Sequence, residues 1–174
     1  MFKDFDISSF KKQKPPSDNS FDTDQEIKAL KKIPLRKEFV KKYDDIESAF
    51  KKTAEEQGIK DYDKSIAKKL IKESAPVILE LKKYHNRSRP YDLDKSLTAV
   101  KMKSMNTPSY PSGHSAQGML IASVLKDKYG KSSAFMQTAK NISDSRNMAH
   151  AHYLSDSKNG TELGKQLYKH IKTT

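Results

Sequence analysis

Pro34-Leu35-Arg36-Lys37-Glu38-Phe39-Val40-Lys41-Lys42-Tyr43-Asp44-Asp45-Ile46-Glu47-Ser48-Ala49-Phe50 is the stretch whose pattern sets the fold class. Leu35, Phe39, Tyr43, Ile46 and Phe50 follow at steps of four, four, three and four. On a helix those positions form one apolar stripe, with the charged residues on the other faces. A half-buried strand would alternate with a period of two, which this stretch does not. Pro34 suits the first turn of the helix, and Gly58 ends it.

Helical signals continue on both sides. Asp22 with Gln25 three residues later has the form of a capping box, opening a helix that stops near Ile33, ahead of Pro34. Asp63 caps a third helix through Ile66, Leu70 and Ile71, which ends before Pro76. A fourth runs from Pro76 to His85 with Val77, Ile78, Leu81 and Tyr84 inward. Residues 86–111 hold three prolines and no period, and read as a long loop of the kind that often carries function. Ser112 caps a helix through Leu120, Ile121, Val124 and Leu125 that ends at Gly130. Another begins near Ser132–Ser133 and runs toward Ala149. The last, from about Ser155, puts Gly160, Leu163, Gly164, Leu167 and Ile171 on one side, where the small residues allow a neighbouring helix to come close. No strand pattern and no internal repeat interrupts the series. The expected fold is all-α: a single-domain helical bundle of six to eight helices over residues 21–174. Residues 1–20 are expected to be a flexible or loosely packed arm, which Phe2, Phe5, Ile7 and Phe10 are able to pin to the body.

Composition bounds the function. A chain of 174 residues suits one domain. Hydrophobic residues make up 34%, so the core must come from one apolar face per helix. No run nears the ~18 apolar residues of a membrane span. Met1-Phe2-Lys3-Asp4-Phe5-Asp6 places acids where a signal peptide needs basic and then apolar residues. Neither a transmembrane segment nor a signal peptide is therefore expected, and the location that follows is cytoplasmic. The chain has no Cys, which excludes disulfides, thiolate metal sites and cysteine nucleophiles. The net charge of +12 favours anionic partners. Much of the excess lies in Lys pairs (Lys11-Lys12, Lys31-Lys32, Lys41-Lys42, Lys51-Lys52, Lys68-Lys69, Lys82-Lys83), which read as solvated helix faces. No zinc-finger spacing, aromatic basic stripe or Gly-rich phosphate loop accompanies them, so nucleic acid is not the expected partner.

Three segments concentrate the groups that phosphoryl transfer needs: 82–90 (Lys-Lys-Tyr-His-Asn-Arg-Ser-Arg-Pro), 111–114 (Pro-Ser-Gly-His) and 145–156 (Ser-Arg-Asn-Met-Ala-His-Ala-His-Tyr-Leu-Ser-Asp). A phosphate monoester is close to a dianion at neutral pH. Holding it without a metal takes several fixed cations and amide donors. Lys82, Arg89 and Arg146 supply the charges, and Arg matches phosphate oxygens with a planar fork. Ser112-Gly113 at a helix start points free N–H groups at an anion, and Gly113 removes the side chain that would block its approach. His114 and His152 are the two imidazoles available as nucleophile and proton donor. Asp156, four residues after His152, is placed to fix its tautomer. The residues alone do not decide which His attacks, nor between His150 and His152. A metal site built from His150, His152, His114, Asp144 and Asp156 is disfavoured, because one Lys and two Arg beside it would repel a divalent cation.

These segments resemble the phosphatidic-acid phosphatase type 2 superfamily, which includes class A nonspecific acid phosphatases and vanadium haloperoxidases. The family pattern is Lys, six residues, Arg-Pro; then Pro-Ser-Gly-His; then Ser-Arg, five residues, His, three residues, Asp. All eleven positions match without a gap, over residues 82–156. The resemblance implies a mostly helical fold and phosphatase chemistry with no cofactor and no metal. In that chemistry His152 is the nucleophile that forms a phosphohistidine, Asp156 holds it, and His114 protonates the leaving alkoxide and then activates water. Lys82, Arg89, Arg146, Ser112 and Gly113 bind the phosphoryl oxygens. The family spacing breaks the tie between His150 and His152 in favour of His152. Soluble relatives are usually longer and exported, and lipid phosphatases of the superfamily cross the membrane, so the expected substrate is a soluble phosphorylated small molecule. The alternatives are a lipid phosphate or pyrophosphate phosphatase acting from the membrane surface, a vanadium-dependent haloperoxidase, and a basic module that binds nucleic acid or phospholipid without catalysis. Soluble relatives commonly self-associate, which leaves a homo-oligomer open. Outside the motif, His85 reads as a helix-end residue, His150 as a packing residue, His170 as a surface residue, Asp144 as solvated, and Arg87 as an outer phosphate or leaving-group contact. Tyr91, Tyr110 and Tyr153 read as packing residues beside the motif.

Overall fold

The computed structural model describes residues 1–174, and every regular element in it is helical. In chain order these are α1 (Ser8–Lys12), α2 (Phe21–Lys31), α3 (Lys37–Asp44), α4 (Ile46–Glu56), α5 (Ser65–His85), the single turn α6 (Pro90–Leu93), α7 (Gly113–Tyr129), α8 (Ser132–Met148) and α9 (Leu154–Thr173). A 3₁₀ turn at Lys103–Asn106 lies in the long loop. Leaving the single turn aside, eight helices form one helical bundle, as the periodicity implies. No helix is long and apolar enough to cross a membrane.

Helix α7 is the axis of the bundle. Leu120, Ile121, Ala122 and Leu125 are fully buried and join one core with Phe135 and Ile142 of α8, Leu163 and Leu167 of α9, Ile78 and Leu81 of α5, and Phe50 of α4. Ser112 caps α7 by accepting from Ser115 N at 3.3 Å, and Gly130 closes it at φ +69°. The small residues of α9 face α7 as the spacing implies. A Cβ on Gly160 would collide with the Ser112 carbonyl, and one on Gly164 with the Ala116 carbonyl. Only hydrogen at those positions lets the two helix backbones meet.

Several boundaries differ from the sequence reading, each for a local reason. The stripe from Leu35 to Phe50 is split. Asp45 leaves the helical region (φ −88°, ψ 104°), and its carboxylate accepts from Ser48 N at 2.9 Å to cap α4. Asp competes for backbone donors in this way, so it favours a cap over a helix interior. Pro76 does not stop a helix: α5 runs through it, because Ala67, Leu70, Val77, Ile78 and Leu81 share one buried face across that point. The Gln117 side-chain amide from α7 also donates to the Ile71 carbonyl at 3.2 Å beside the interruption. Helix α2 is capped by Ser20, whose Oγ accepts from Thr23 N at 3.2 Å, and not by Asp22, which lies inside the first turn. Tyr84, expected inward, is 54% exposed. Within residues 1–20, α1 forms and Phe2 and Phe10 reach the main core, so the aromatic pins seat this segment. His170, read as a surface residue, packs its ring against Phe2 and Phe5.

Candidate active site

The three segments come together at the amino end of α7. Ser112 N donates to the carbonyl of Asp156 at 3.0 Å, which ties the second segment to the third. The N–H groups of Gly113 and His114, at the first positions of α7, have no acceptor in the protein and carry the positive end of the helix dipole. The Ser112 hydroxyl, expected at a phosphate, accepts instead from Ser115 N and Ser115 Oγ as the helix cap.

His152 is buried just before α9 and Asp156 is fully buried in its first turn. The Asp156 carboxylate accepts from Tyr153 N at 3.0 Å, the side-chain half of a capping box, and from the Ser109 hydroxyl. Its Oδ2 lies 3.2 Å from His152 Nδ1, and Arg89 Nη1 lies 3.0 Å from His152 Nε2. A carboxylate only accepts here and a guanidinium only donates, so the neutral ring carries its proton on Nδ1 and keeps the Nε2 lone pair. Burial first, and then the charges of Arg89 and Lys82, hold the His152 ring well below the usual imidazole range, against the opposing pull of Asp156. Burial would raise the Asp156 carboxyl. The hydrogen bond from His152, the charge of Arg87 and the Ser109 hydroxyl outweigh it and keep Asp156 ionised.

Among the Lys pairs, Lys82-Lys83 departs from a solvated face: Lys82 turns inward and is 5% exposed. Its Nζ donates to the Pro108 carbonyl at 2.6 Å. Burial, followed by the charge of Arg89, pushes it down to about 7, with Asp156 opposing. Arg89 takes an extended backbone ahead of Pro90 and is also buried. Its guanidinium donates to the carbonyls of Thr107, Ala151 and Ser104 at 3.0, 2.9 and 3.0 Å, which fixes the fork rigidly. Lys82, Arg89, Gly113, His114 and His152 line one cleft of about 230 Å³, walled on its apolar side by Ala75, Ile78 and Leu79.

Arg146, also sought as a phosphate ligand, stands behind this cleft and does not line it. Its buried Nη1 donates to Asp44 Oδ1 at 2.9 Å and its Nε to Ser145 Oγ at 3.0 Å, while Nη2 has no partner. The Asp44 carbonyl accepts from His114 Nε2 at 2.9 Å, so that nitrogen carries the proton. Burial, then the charge of Arg146, lowers His114 to about 4, opposed by the Asp44 carbonyl and carboxylate.

Arg87 does not contact the cleft. It is buried with Nη1 on Asp156 Oδ1 at 2.8 Å and Nη2 on Glu26 Oε2 at 2.7 Å, and its guanidinium lies 3.7 Å from the ring centre of Tyr153. Glu26 in turn accepts from Ser155 N at 2.8 Å. Sequence reasoning found neither Glu26 nor Asp44, since each sits among other charged residues on a surface-patterned helix with no motif around it. Only the 61-residue separation of Glu26 from Arg87, and the 102-residue separation of Asp44 from Arg146, closed by folding, gives them partners. His150 sits at φ +54° with its ring nitrogens 2.7 Å from the Thr98 carbonyl and 2.8 Å from the Ile33 carbonyl, apart from His152. His85 faces the Phe10 carbonyl at 3.0 Å and stacks edge-on against Tyr110. Tyr110 and Tyr153 are buried, whereas Tyr91, read as a packing residue, is exposed. Asp144 pairs with Lys140 on the surface. No three His, Asp or Glu side chains are grouped as a metal site. No protein-family model matches the chain, and no curated protein matches it.

Proposed function

We propose that the chain is a phosphomonoesterase of the phosphatidic-acid phosphatase type 2 kind, acting on soluble phosphate monoesters without a metal. The observation that carries this reading is the His152 ring: Nδ1 on Asp156, Nε2 at the edge of a cleft that also holds Lys82, Arg89 and the free amides of Gly113 and His114. Such a cleft favours a tetrahedral oxyanion, and it sets a neutral nucleophile beside it. In the proposed reaction Arg89 Nη1 leaves His152 Nε2 for a phosphoryl oxygen, the freed Nε2 lone pair attacks phosphorus, and the P–O ester bond breaks. The imidazolium form of His114 gives a proton to the leaving oxygen and becomes neutral, and Asp156 stabilises the charge gained by the His152 ring. Water then attacks phosphorus with His114 taking its proton, the P–N bond breaks, and phosphate and neutral His152 are released. Lys82 and Arg89 hold the equatorial oxygens in both steps.

The test is hydrolysis of p-nitrophenyl phosphate in the presence of a chelator, by wild type and by His152→Ala. The expected result is turnover in wild type and at least about a 10³-fold loss in the variant. Full activity in His152→Ala rejects the reading.

A further inference from the structure

Asp44 lies where the apolar stripe breaks between α3 and α4, and it touches two of the motif residues at once. Its Oδ1 is 2.9 Å from Arg146 Nη1 and 3.7 Å from His114 Nε2, so the carboxylate is wedged between the guanidinium and a ring that lines the cleft. The two members of the ion pair are unequal. The Arg146 side chain is 1% exposed, while that of Asp44 is 47% exposed. A buried guanidinium must keep an anionic or polar partner, whereas a half-solvated carboxylate gives up little on turning to water. Arg146 also keeps one buried nitrogen, Nη2, with no partner. Its remaining contacts, Ser145 Oγ and Met102 Sδ at 3.1 Å, supply no charge. Carboxylate and phosphate oxygens satisfy the same guanidinium fork.

We propose that Asp44 is an internal competitor that occupies Arg146 in the free protein and yields it to the phosphoryl group of the substrate. The proposal rests on the phosphatase reading and names the residue that sets how strongly a phosphate must bind to complete the site. On this account Arg146 joins the cleft only after the Asp44 side chain turns outward. A phosphoryl dianion carries more charge and more oxygens than the carboxylate it displaces, and gains most from the exchange. Weaker anions leave Asp44 in place.

Inorganic phosphate titrated calorimetrically into wild type, Asp44→Asn and Asp44→Ser tests this, with circular dichroism to confirm that each variant is folded. Competition predicts that phosphate binds both variants about tenfold tighter, the scale of one charge-assisted hydrogen bond made available, and that Arg146→Gln removes the difference between Asp and Asn at position 44. If Asp44 serves only to position Arg146, both variants bind phosphate more weakly, and the proposal is overturned while the phosphatase reading stands. If wild type and Asp44→Asn neither bind phosphate nor hydrolyse p-nitrophenyl phosphate, the phosphatase reading fails and takes this proposal with it.

Discussion

Arg87 Nη1 donates to Asp156 Oδ1 at 2.8 Å, on the opposite oxygen of the carboxylate from the one that meets His152. The two residues are 1% and 0% exposed, and Glu26 closes the pair on its outer side at 2.7 Å. Arg87 therefore holds the carboxylate that meets the His152 ring. Replacing it with Met strands Asp156 without its main cation and leaves Glu26 unpaired. Arg87→Met is expected to lose about 3–5 kcal/mol of stability, the usual result of removing one partner of a buried ion pair. Urea denaturation checks this, and a loss below about 1 kcal/mol would mean the pair does not carry the turn.

Gly160 couples α9 to the cleft-forming end of α7. A Cβ there meets the Ser112 carbonyl and lies 3.1 Å from Ser115 Cβ. Gly160→Ala is expected to cost about 1–3 kcal/mol by overpacking. Because Ser112 N and Asp156 O are bonded at the same place, it should also lower turnover of an aryl phosphate. Gly118→Ala is the comparison, since its Cβ would come no nearer than 3.4 Å to the Ile142 side chain, an ordinary van der Waals contact. Paired melts and rates of the two variants should separate clearly. Equal effects would contradict the close contact at Gly160.

Lys82 makes a prediction about pH. In the unfolded chain it titrates near the ordinary lysine value of 10.5, and burial and Arg89 bring it to about 7 in the fold. Between those values the unfolded state binds the extra proton, so stability rises with pH across that window, by at most about 1.4 kcal/mol per unit from this group. The penalty is complete below about 7 and gone above about 10.5. Lys82→Met should flatten that slope and raise stability most on the acid side of the window. Denaturation midpoints measured at about pH 6, about pH 8 and about pH 10 check it, and an equal slope in the variant would place its source in other groups.

His114 should titrate near 4 in the free protein, below the ordinary 6.5, because of burial and Arg146. The unfolded state therefore takes up the proton first as pH falls from 6.5 toward 4, and stability declines over that range from this residue. The midpoint of its imidazole resonance, followed by NMR, should shift upward in Arg146→Gln, where the repelling charge is gone. An unchanged midpoint in that variant would place the Arg146 guanidinium too far away to matter.

The fold class was legible because it depends on local periods. The stripes in α5, α7 and α9, the Ser112 cap and the Gly130 stop are each set within a turn or two of chain. Local signals misled where two of them competed. Asp45 sits on a good helical stripe and also makes a good cap, and the cap won. Pro76 is a helix breaker in isolation, but the buried face on either side of it holds α5 together. The cleft was legible in part. Lys82, Arg89, Gly113, His114 and His152 share it, while Arg146 and the Ser112 hydroxyl turn to other partners.

The sequence by itself determined that this protein is a helical bundle, because helix period and caps are carried within short spans of chain. Only the tertiary structure decided that Arg87 serves Asp156, that Glu26 closes that pair and that Asp44 stands on Arg146. Those choices join residues far apart in the chain, and a buried charge selects its partner by what the packing brings within hydrogen-bond reach.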